Sequence, residues 1–396
     1  MADVPCRKVS TLNLKCDKMI VFISNFLNHH QYPVAQRLYE LTSGNYRFIE
    51  TEEMPESFKR NGYDEYTNLP WLIQAWKSNS NIDNIILEAD AVVFSSNIHI
   101  PSITKRLKLK KLTFEFGERW FKRGYTNIFS PRLIRSQINY HLYFRKAPFY
   151  RLNASAYAAN DFKILHSFKN RMYKWGYFTA NPEIDIDRVI DDHSNFIKPR
   201  IIAVARFIKW KHLELAVYAA SNLQKKGYDF ELNIYGSGPE KDNISALIKD
   251  MQVEKFVFLK GNRPNAEIIK EMQKHDIFIF TSDRNEGWGA VINEAMGNGC
   301  AIVGSSAVGS VPYLIKDGEN GLIFKSGDIN DLTQKIEMLL QSSDMCKQLS
   351  RNAYHTIQNL WSPNNAANNL LKLIEELKGN HRSTIKEGPC SPAMPL

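Results

Sequence analysis

Short apolar runs and amphipathic stretches alternate along the first half of the chain. The first run, "MIVFISN" at residues 19–25, is typical of a strand, and residues 33–41 place Leu38 and Leu41 on one face of a helix. The same reasoning predicts strands at residues 46–51, 91–96, 111–116 and 171–178. Strands that alternate with helices indicate a parallel sheet covered on both faces, with functional loops at the carboxyl ends of its strands.

The alternation stops and restarts in the second half. Residues 181–199 are acidic, contain two prolines and lack an apolar period, which is typical of a linker. Beyond them, Leu213, Ala216, Ala220 and Leu223 follow helical spacing. Strands are predicted at residues 200–206, 230–236, 255–261, 277–282, 301–306 and 321–324. We therefore expect a second α/β domain of the Rossmann-like kind.

Length fits this division, because 396 residues exceed what one ordinary hydrophobic core holds. We predict domains at residues 19–180 and 200–360, joined by the linker at 181–199. Residues 344–379 are expected to be helical with a break at Pro363, and a C-terminal helix is placed at 361–379. The chain ends are predicted to be a loose tail at 1–18 and a disordered tail at 380–396.

Composition indicates a folded protein of the cytoplasm. Apolar residues make up 43% and charged residues 23%, which is ordinary for a globular chain. The cysteines are odd in number and scattered, which favours reduced thiols over a zinc or redox site; they are Cys6, Cys16, Cys300, Cys346 and Cys390. No run of about 18 apolar residues and no signal-peptide pattern is present, so we expect neither a spanning nor a secreted protein.

Positive charge is concentrated between residues 101 and 150. Twelve Lys and Arg, with Lys108, Lys110 and Lys111 among them, stand there against Glu115 and Glu118, within a net charge of +9 for the whole chain. Aromatic residues are interleaved: Phe114, Phe116, Trp120, Phe121, Tyr125, Tyr140, Tyr143 and Phe144. Such a surface suits anionic lipid headgroups, a phosphate-bearing acceptor or nucleic acid, and a merely solvated basic surface is an equal alternative.

Two carboxylates flank a glycine-rich segment, "EGWGAVINEAM", after an apolar strand. A helix beginning at residues 287–289 would offer unpaired amides to a diphosphate, with Glu286 at one end and Glu294 roughly 8 Å further along. The two carboxylates would each accept hydrogen bonds from hydroxyl groups. A diphosphate with a sugar at one end and a ribose at the other is a nucleotide-sugar. The alternative is that Glu286 only sits at a helix start and that Glu294 is solvated.

Arg206 and Lys211 straddle the loop after the first strand of the second domain, in "VARFIKWK". Two cations at a strand-to-helix crossover point toward the crevice that the Glu286 loop borders, where they could neutralise a departing diphosphate. The alternative is that they are ordinary surface cations.

These residues, in this order, resemble the group 1 retaining glycosyltransferases of family four. "IYGSGPE" is similar to the family's turn after the next strand, "FLKGNRP" to its nucleobase loop, and "EGWGAVINEAMGNGCAIVGS" to its signature. The resemblance implies the GT-B fold, in which two Rossmann-like domains face each other across a cleft and a C-terminal helix returns to the N-terminal domain. It also implies donor phosphates at Arg206 and Lys211, the sugar at Glu286 and the ribose at Glu294. Other implied donor contacts are Gly287, Trp288, Gly289, Ala290, Asn262 and Arg263.

The N-terminal domain departs from the family's pattern. The loop after the first strand, "SNFLNHHQYPVA", has no glycine and offers Asn28, His29 and His30 instead. A mid-domain histidine is replaced by Glu115 and Glu118 in "TFEFGERWFK". We take Asn28, His29, Glu115 and Glu118 as acceptor-side or closure-loop candidates, with Glu118 as a candidate base. An ion pair of Glu118 with Arg119 or a helix N-cap is an equal alternative, and the two histidines are also typical of a polar loop.

We therefore expect a metal-independent, retaining glycosyltransferase with Arg206, Lys211, Glu286 and Glu118 in catalysis. The N-terminal domain would bind a glycan or lipid-linked glycan acceptor, and the second domain the nucleotide-sugar donor, which is a substrate and not a cofactor. No cofactor, metal or nucleic acid is expected. The location is cytoplasmic, with a peripheral position at an anionic membrane face left open. The rivals are a sugar-nucleotide epimerase on the same fold and a non-catalytic nucleotide-sugar-binding protein.

Overall fold

A computed structural model describes residues 18–60, 65–77, 81–96, 100–180, 183–193 and 196–396. Most of the tail predicted at residues 1–18 lies outside these ranges, and so do Cys6 and Cys16. No helix within the described ranges is both long enough and apolar enough to cross a bilayer.

The N-terminal domain is built on a parallel sheet of seven described strands. In chain order its elements are β1 (Ile20–Ser24), α1 (Tyr32–Leu41), β2 (Tyr46–Glu50), α2 (Glu56–Arg60), β3 (Leu72–Gln74), α3 (Ile82–Glu88), β4 (Ala91–Ser95), α4 (Pro101–Lys108), β5 (Thr113–Gly117), α5 (Pro131–Asn139), β6 (Phe149–Asn153), α6 (Ala158–Ile164) and β7 (Met172–Lys174). The strands lie in the order β3-β2-β1-β4-β5-β6-β7. In the centre, Ile20 of β1 pairs with Tyr46 on one side and Ala91 on the other. The order reverses at β1, which opens a crevice beyond the carboxyl ends of the strands.

The C-terminal domain repeats this plan with six parallel strands. Its elements, counted from the linker, are α7 (Ile186–His193), β8 (Arg200–Val204), α8 (Leu213–Lys225), β9 (Glu231–Tyr235), α9 (Lys241–Asp250), β10 (Val257–Gly261), α10 (Asn265–Met272), β11 (Ile277–Phe280), α11 (Val291–Gly297), β12 (Ala301–Ser305), α12 (Val311–Leu314), β13 (Leu322–Phe324), α13 (Ile329–Gln341), α14 (Ser343–His355) and α15 (Pro363–Lys378). The order β10-β9-β8-β11-β12-β13 reverses at β8, so the second crevice lies between the loops after β8 and β11.

One hydrophobic cluster spans both domains. A continuous cluster of buried side chains includes Phe48 and Phe178 of the N-terminal domain together with Phe278 and Trp288 of the C-terminal domain. The loops at the ends of both sheets are therefore held against each other by apolar packing. The predicted GT-B architecture of two Rossmann-like domains that face each other is confirmed.

The predicted return of the C-terminal helix is also confirmed. Helix α15 packs against α1, and Arg37 donates from Nε to Oδ1 of Asn364 at 2.7 Å. Lys18 lies 2.9 Å from Glu375 of the same helix. The chain thus crosses back and fastens the two domains together.

The prediction that the linker at residues 181–199 lacks an apolar period is wrong in part. Helix α7 lies inside it and buries Ile186 and Ile190 against Tyr354. The apolar spacing of four residues was masked by the surrounding acids, one of which, Asp187, pairs with Arg351 at 2.6 Å.

The prediction of a disordered tail at residues 380–396 is wrong as well. The backbone N–H of Cys390 donates to the carbonyl of Lys174 at 2.7 Å, and the N–H of Lys174 donates to Ser391 at 2.8 Å. Cys390 and Ala393 are buried. Strand β7 is the edge of the sheet, and its open backbone groups take up the tail as an added strand-like segment.

Candidate functional site

Lys211 and Glu286 meet in the crevice at the reversal point of the C-terminal sheet. Lys211 follows β8 and Glu286 follows β11, and the ammonium of Lys211 forms an ion pair with Oε2 of Glu286. Both side chains are largely withdrawn from solvent, at 10% and 12% exposure. The two residues, predicted on separate loops, are thus ion-pair partners.

Two residues that the sequence analysis missed hold these loops in register. The backbone N–H of Asp283 donates to the carbonyl of Trp210 at 3.0 Å, and the Asp283 carboxylate lies 3.2 Å from Nε2 of His212. Burial lowers the pKa of His212, but hydrogen bonds to Glu214 and Asp283 outweigh it and raise the pKa overall. The sequence did carry a signal for both residues. Asp283 directly follows the strand predicted at residues 277–282, and His212 directly follows the candidate Lys211.

Gly289 is required by the shape of the turn between Glu286 and α11. Its φ is +83°, and a Cβ there would lie 2.5 Å from the ring of Phe280. Helix α11 begins at Val291 rather than at residues 287–289 as expected, because the chain first makes this turn. The glycines therefore form the approach to the helix, with Ala290 as its N-cap.

Glu294 is the fourth residue of α11 and is buried, so the alternative of a solvated carboxylate is wrong. Its Oε1 accepts a hydrogen bond from Nδ2 of Asn265 at 3.0 Å. Burial raises the pKa of Glu294 to about 7, although the Asn265 bond works in the opposite direction. Its charge therefore changes near neutral pH.

Trp288 does not offer its side chain to a ligand, contrary to the prediction of a donor contact. The ring is 1% exposed and lies at the domain junction, 6.3 Å from the ring of Tyr177 and 5.7 Å from that of Trp361. Its Nε1 donates to Asn293 at 2.9 Å. The prediction came from the resemblance of the surrounding motif to the family's, and burial makes the side chain a packing residue.

The other predicted donor contacts lie around the same crevice. Arg206 is exposed, with its guanidinium carbon 5.9 Å from the centre of the Trp210 ring. Asn262 and Arg263 are exposed between β10 and α10, immediately before the Asn265 that bonds Glu294. The predicted nucleobase loop is therefore joined to Glu294 by one hydrogen bond.

The loop after β1, in the N-terminal domain, reaches Glu294 of helix α11. The Oδ1 atom of Asn28 accepts from the backbone N–H of His30 at 3.0 Å and shapes the entry to α1. His29, His30 and Glu294 each bring one ligand atom within 4.8 Å of the others, so among the described residues they could hold a metal ion. Burial and the neighbouring His29 lower the pKa of His30 to about 3, which leaves its ring neutral.

Glu118 closes the site from the N-terminal domain. Its carboxylate lies against Gly287, where an added Cβ would come within 1.8 Å of Oε2. Lys122 pairs with it at 2.8 Å, and the hydroxyl of Tyr177 donates to its Oε1 at 3.4 Å. The alternative pairing with Arg119 is wrong, because Arg119 binds Asp161 at 3.0 Å instead.

Glu115 is wrongly predicted as an acceptor-side residue. It lies inside β5, where its carboxylate forms an ion pair with Nη1 of Arg151 at 2.9 Å, and both side chains are buried. Alternate residues of a strand point to opposite faces, so Glu115 belongs to the packed sheet while Glu118 lies beyond its end.

A cavity of about 490 Å³ opens beside Glu118, at the carboxyl ends of β4 and β5. Its lining is cationic: Arg119, Lys122, Arg123 and Arg132 stand there with Glu118 as the acid. Arg284, from the loop before Glu286, crosses to this domain and donates to the carbonyl of Lys122 at 3.2 Å. A loop of the C-terminal domain thus contacts the segment that lines the cavity.

The basic and aromatic stretch at residues 101–150 is not one surface. Five of the eight aromatic residues named above for this stretch are buried: Phe114, Phe116, Phe121, Tyr140 and Phe144. Lys108 and Lys110 precede β5, whereas Glu118 follows it, so the two lysines and Glu118 lie at opposite ends of this strand. A separate exposed surface runs from Arg123 to Lys146.

Comparison with known proteins gives a family for the C-terminal half. The family "Glycosyl transferases group 1" matches residues 190–356. Over 200 residues, half of this chain, the sequence is 30% identical to the poly(glycerol-phosphate) alpha-glucosyltransferase of Bacillus subtilis (strain 168), of which it covers 29%. It is 27% identical over 171 residues, 43% of this chain, to the poly(ribitol-phosphate) alpha-N-acetylglucosaminyltransferase of Staphylococcus aureus (strain COL), covering 34% of that protein.

The fold likeness extends over nearly the whole chain. The crystal structure of TarM superposes with a TM-score of 0.65 at 14% identity, over 90% of this chain and 98% of that one. The chain spans about a third of the length of the curated relatives it matches. The match at residues 190–356 includes Lys211, Glu286 and Glu294. The chain therefore carries a domain of the group 1 glycosyltransferase family, on a two-domain GT-B fold.

Proposed function

We propose that the chain transfers a sugar from a nucleotide-sugar donor to a glycan or lipid-linked glycan acceptor. The observation that carries this proposal is the Lys211–Glu286 pair at the reversal point of the C-terminal sheet, with Glu294 on the adjoining helix and Glu118 facing it from the other domain. The family match over the same residues supports it. The two relatives, by their names, both transfer sugars to polymers that contain phosphate.

In this proposal the donor replaces contacts that the site residues make with one another. The diphosphate attracts Lys211 away from Glu286 and is also met by Arg206, whose exposed guanidinium is free to turn toward it. Glu286 then accepts hydrogen bonds from sugar hydroxyls, and Glu294 accepts from the ribose. Cations that meet the diphosphate stabilise the negative charge that develops as it departs.

Retention of anomeric configuration is part of the proposal. The acceptor oxygen attacks the anomeric carbon on the face from which the diphosphate leaves, and a phosphate oxygen takes the acceptor's proton. Glu118, held by Lys122, would position the acceptor hydroxyl in the cationic cavity. A covalent sugar on Glu118 or Glu286, trapped and identified by mass spectrometry, would replace this route with a double displacement.

We also propose that transfer needs no metal and no cofactor. Lys211 and Arg206 supply the positive charge that a divalent cation would otherwise bring to the diphosphate. The His29, His30 and Glu294 group makes this claim testable, because a metal held there would contradict it. Activity that survives dialysis against a chelator is expected, whereas activity lost with the chelator and restored by one divalent cation would disprove metal independence.

The direct test is a two-stage screen. Nucleotide-sugars are first ranked by the rise that each causes in melting temperature, since a ligand that binds the folded state stabilises it. Each donor that binds is then incubated with glycan, phosphorylated glycan and lipid-linked glycan acceptors, and products are identified by mass spectrometry and by NMR at the anomeric carbon. Conversion of the donor without an acceptor would indicate an epimerase, and binding without turnover would indicate a binding protein.

A further inference from the structure

A cluster of large apolar side chains is exposed on one segment of the N-terminal domain. Between 40% and 78% of the surface of seven such residues is accessible, and they are Tyr125, Ile128, Phe129, Ile134, Ile138, Leu142 and Tyr143. Single exposed apolar residues are normal, but a contiguous group of this size marks an interaction surface. We call residues 125–146 the docking segment.

Helix α5 is apolar on two opposite sides. Leu133, Tyr140 and Phe144 are buried against the domain, in the helix and the π-helical turn that follows it at Tyr140–Phe144. Ile134, Ile138 and Leu142 recur every four residues on the outward side, where a surface helix ordinarily carries polar groups. Packing within this chain therefore explains the apolar residues on only one of the two faces.

The charged residues of the docking segment and its flank are all positive. No Asp or Glu occurs between Glu118 and Asp161 in the sequence. The exposed cations of the segment and its flank are Arg123, Arg132, Arg135, Arg145 and Lys146. A second copy of this chain would bring the same cations together and be repelled, whereas an anionic bilayer attracts them.

The docking segment also borders the cationic cavity. Arg123, Asn127, Ser130 and Arg132 belong to the segment or its flank and line the cavity beside Glu118. A bilayer lying against Phe129 and Leu142 would therefore meet the mouth of the cavity. An acceptor whose lipid stays in that bilayer could place its headgroup next to Glu118.

We propose that the docking segment binds the surface of an anionic bilayer, with Phe129, Ile138 and Leu142 entering the headgroup region and the surrounding cations contacting lipid phosphates. The apolar insertion and the electrostatic attraction then act together, as they do in interfacial helices. The consequence that the acceptor is lipid-linked rests on the proposed transferase function. Docking itself does not, and it can be measured without turnover.

The experiment measures sedimentation of the full chain with vesicles of phosphatidylcholine alone and of phosphatidylcholine with phosphatidylglycerol. We expect binding to the anionic vesicles that weakens as salt is raised. The double variant Phe129→Asp with Leu142→Asp should reduce the partition coefficient at least about tenfold. Ile197→Asp, at an exposed apolar residue before β8, is the matched control and should change nothing.

A second variant guards against loss of folding. Arg135→Glu with Lys146→Glu changes only exposed charges and should weaken binding to anionic vesicles by a similar factor. Every variant is checked for an unchanged melting temperature and for its shift with the nucleotide-sugar that binds. Failure of the proposed function would remove that shift and leave vesicle binding intact.

Equal binding by the wild type and both double variants would overturn the proposal, and so would absence of binding to anionic vesicles. A dimer seen by analytical ultracentrifugation, dissociated by Phe129→Asp with Leu142→Asp and indifferent to vesicles, would overturn it by identifying a second copy as the occupant.

Discussion

The two domains build their sides of the site in different ways. In the C-terminal domain, Lys211 and Glu286 lie on two short loops that are tied to each other by His212 and Asp283, and their charges are paired away from solvent. In the N-terminal domain, the cavity is lined by cations from the segment between β5 and α5 and from the start of α5, with Glu118 as the acid. A compact group such as a diphosphate can be held by two adjacent loops. The open cationic cavity suits a larger anionic ligand that enters from the surface.

The largest effect is expected from removing the C-terminal cation. Lys211→Ala deletes the proposed counter-charge of the leaving diphosphate and leaves Glu286 without its ion-pair partner. Release of nucleoside diphosphate should fall at least about 100-fold in kcat/KM. Lys209→Ala, at an exposed lysine two residues away, is the control and should stay within about twofold. Equal activity of the two variants would mean that Lys211 is not part of the donor site.

Breaking the packing between the domains should chiefly affect stability. Trp288→Ala leaves a cavity among Tyr177, Tyr313 and Trp361 and should lower the free energy of unfolding by about 3–5 kcal/mol. Phe129→Ala, at a residue that is 78% exposed, should change it by less than about 0.5 kcal/mol. Denaturant titration measures both. A small effect of Trp288→Ala would show that the two domains do not depend on this contact.

The contact between Glu118 and Gly287 can be tested by a double-mutant cycle. A methyl group at position 287 would overlap the Glu118 carboxylate, which must move, while the backbone of Gly287 is compatible with alanine. Gly287→Ala should reduce transfer by about tenfold or more with little change in melting temperature. In a Glu118→Ala background the same change should have almost no further effect on transfer. If the effects of the two substitutions on transfer were fully additive, the two residues would not act through their contact.

The smallest effect concerns the buried carboxyl of Glu294. Its pKa is raised to about 7, so below about pH 4.5 the group is neutral in both folded and unfolded chains. As pH rises from about 4.5 to about 7, the folded chain alone retains the proton, so stability falls across this interval and the loss is complete above pH 7. Glu294→Gln should therefore be about 1–2 kcal/mol more stable than wild type at pH 8 and equal to it at pH 4.5.

Thermal melts across that range, with exposed Glu267→Gln as the control, measure this difference. A constant offset at every pH would mean that Glu294 does not titrate near neutrality.

The sequence predicts the C-terminal domain well because its signals are local. Each of its six strands lies within a predicted, largely apolar run, and the motif residues lie within a few positions of strand ends. Trp288 is the exception there, since burial at a junction of two domains depends on Tyr177 and Trp361, which are far away in the chain.

The N-terminal domain is harder to predict because its site depends on distant pairings. Strand β6, "FYRLN", was missed because Arg151 interrupts its apolar pattern, and only the buried ion pair with Glu115 explains that arginine. Because this ion pair holds the Glu115 carboxylate inside the sheet, Glu115 does not belong to the candidate site. The tail after α15 carried no periodic signal, since its order comes from the open edge of β7.

The central claim is that a nucleotide-sugar lies across Lys211, Glu286 and Glu294. A crystal structure of the chain with the nucleoside diphosphate that gives the largest thermal shift tests it most directly. We expect the diphosphate within hydrogen-bond distance of Lys211 and Arg206, and the ribose hydroxyls at the Glu294 carboxylate. A nucleotide bound elsewhere, with the Lys211–Glu286 pair and the Asn265–Glu294 hydrogen bond unchanged, would contradict the claim.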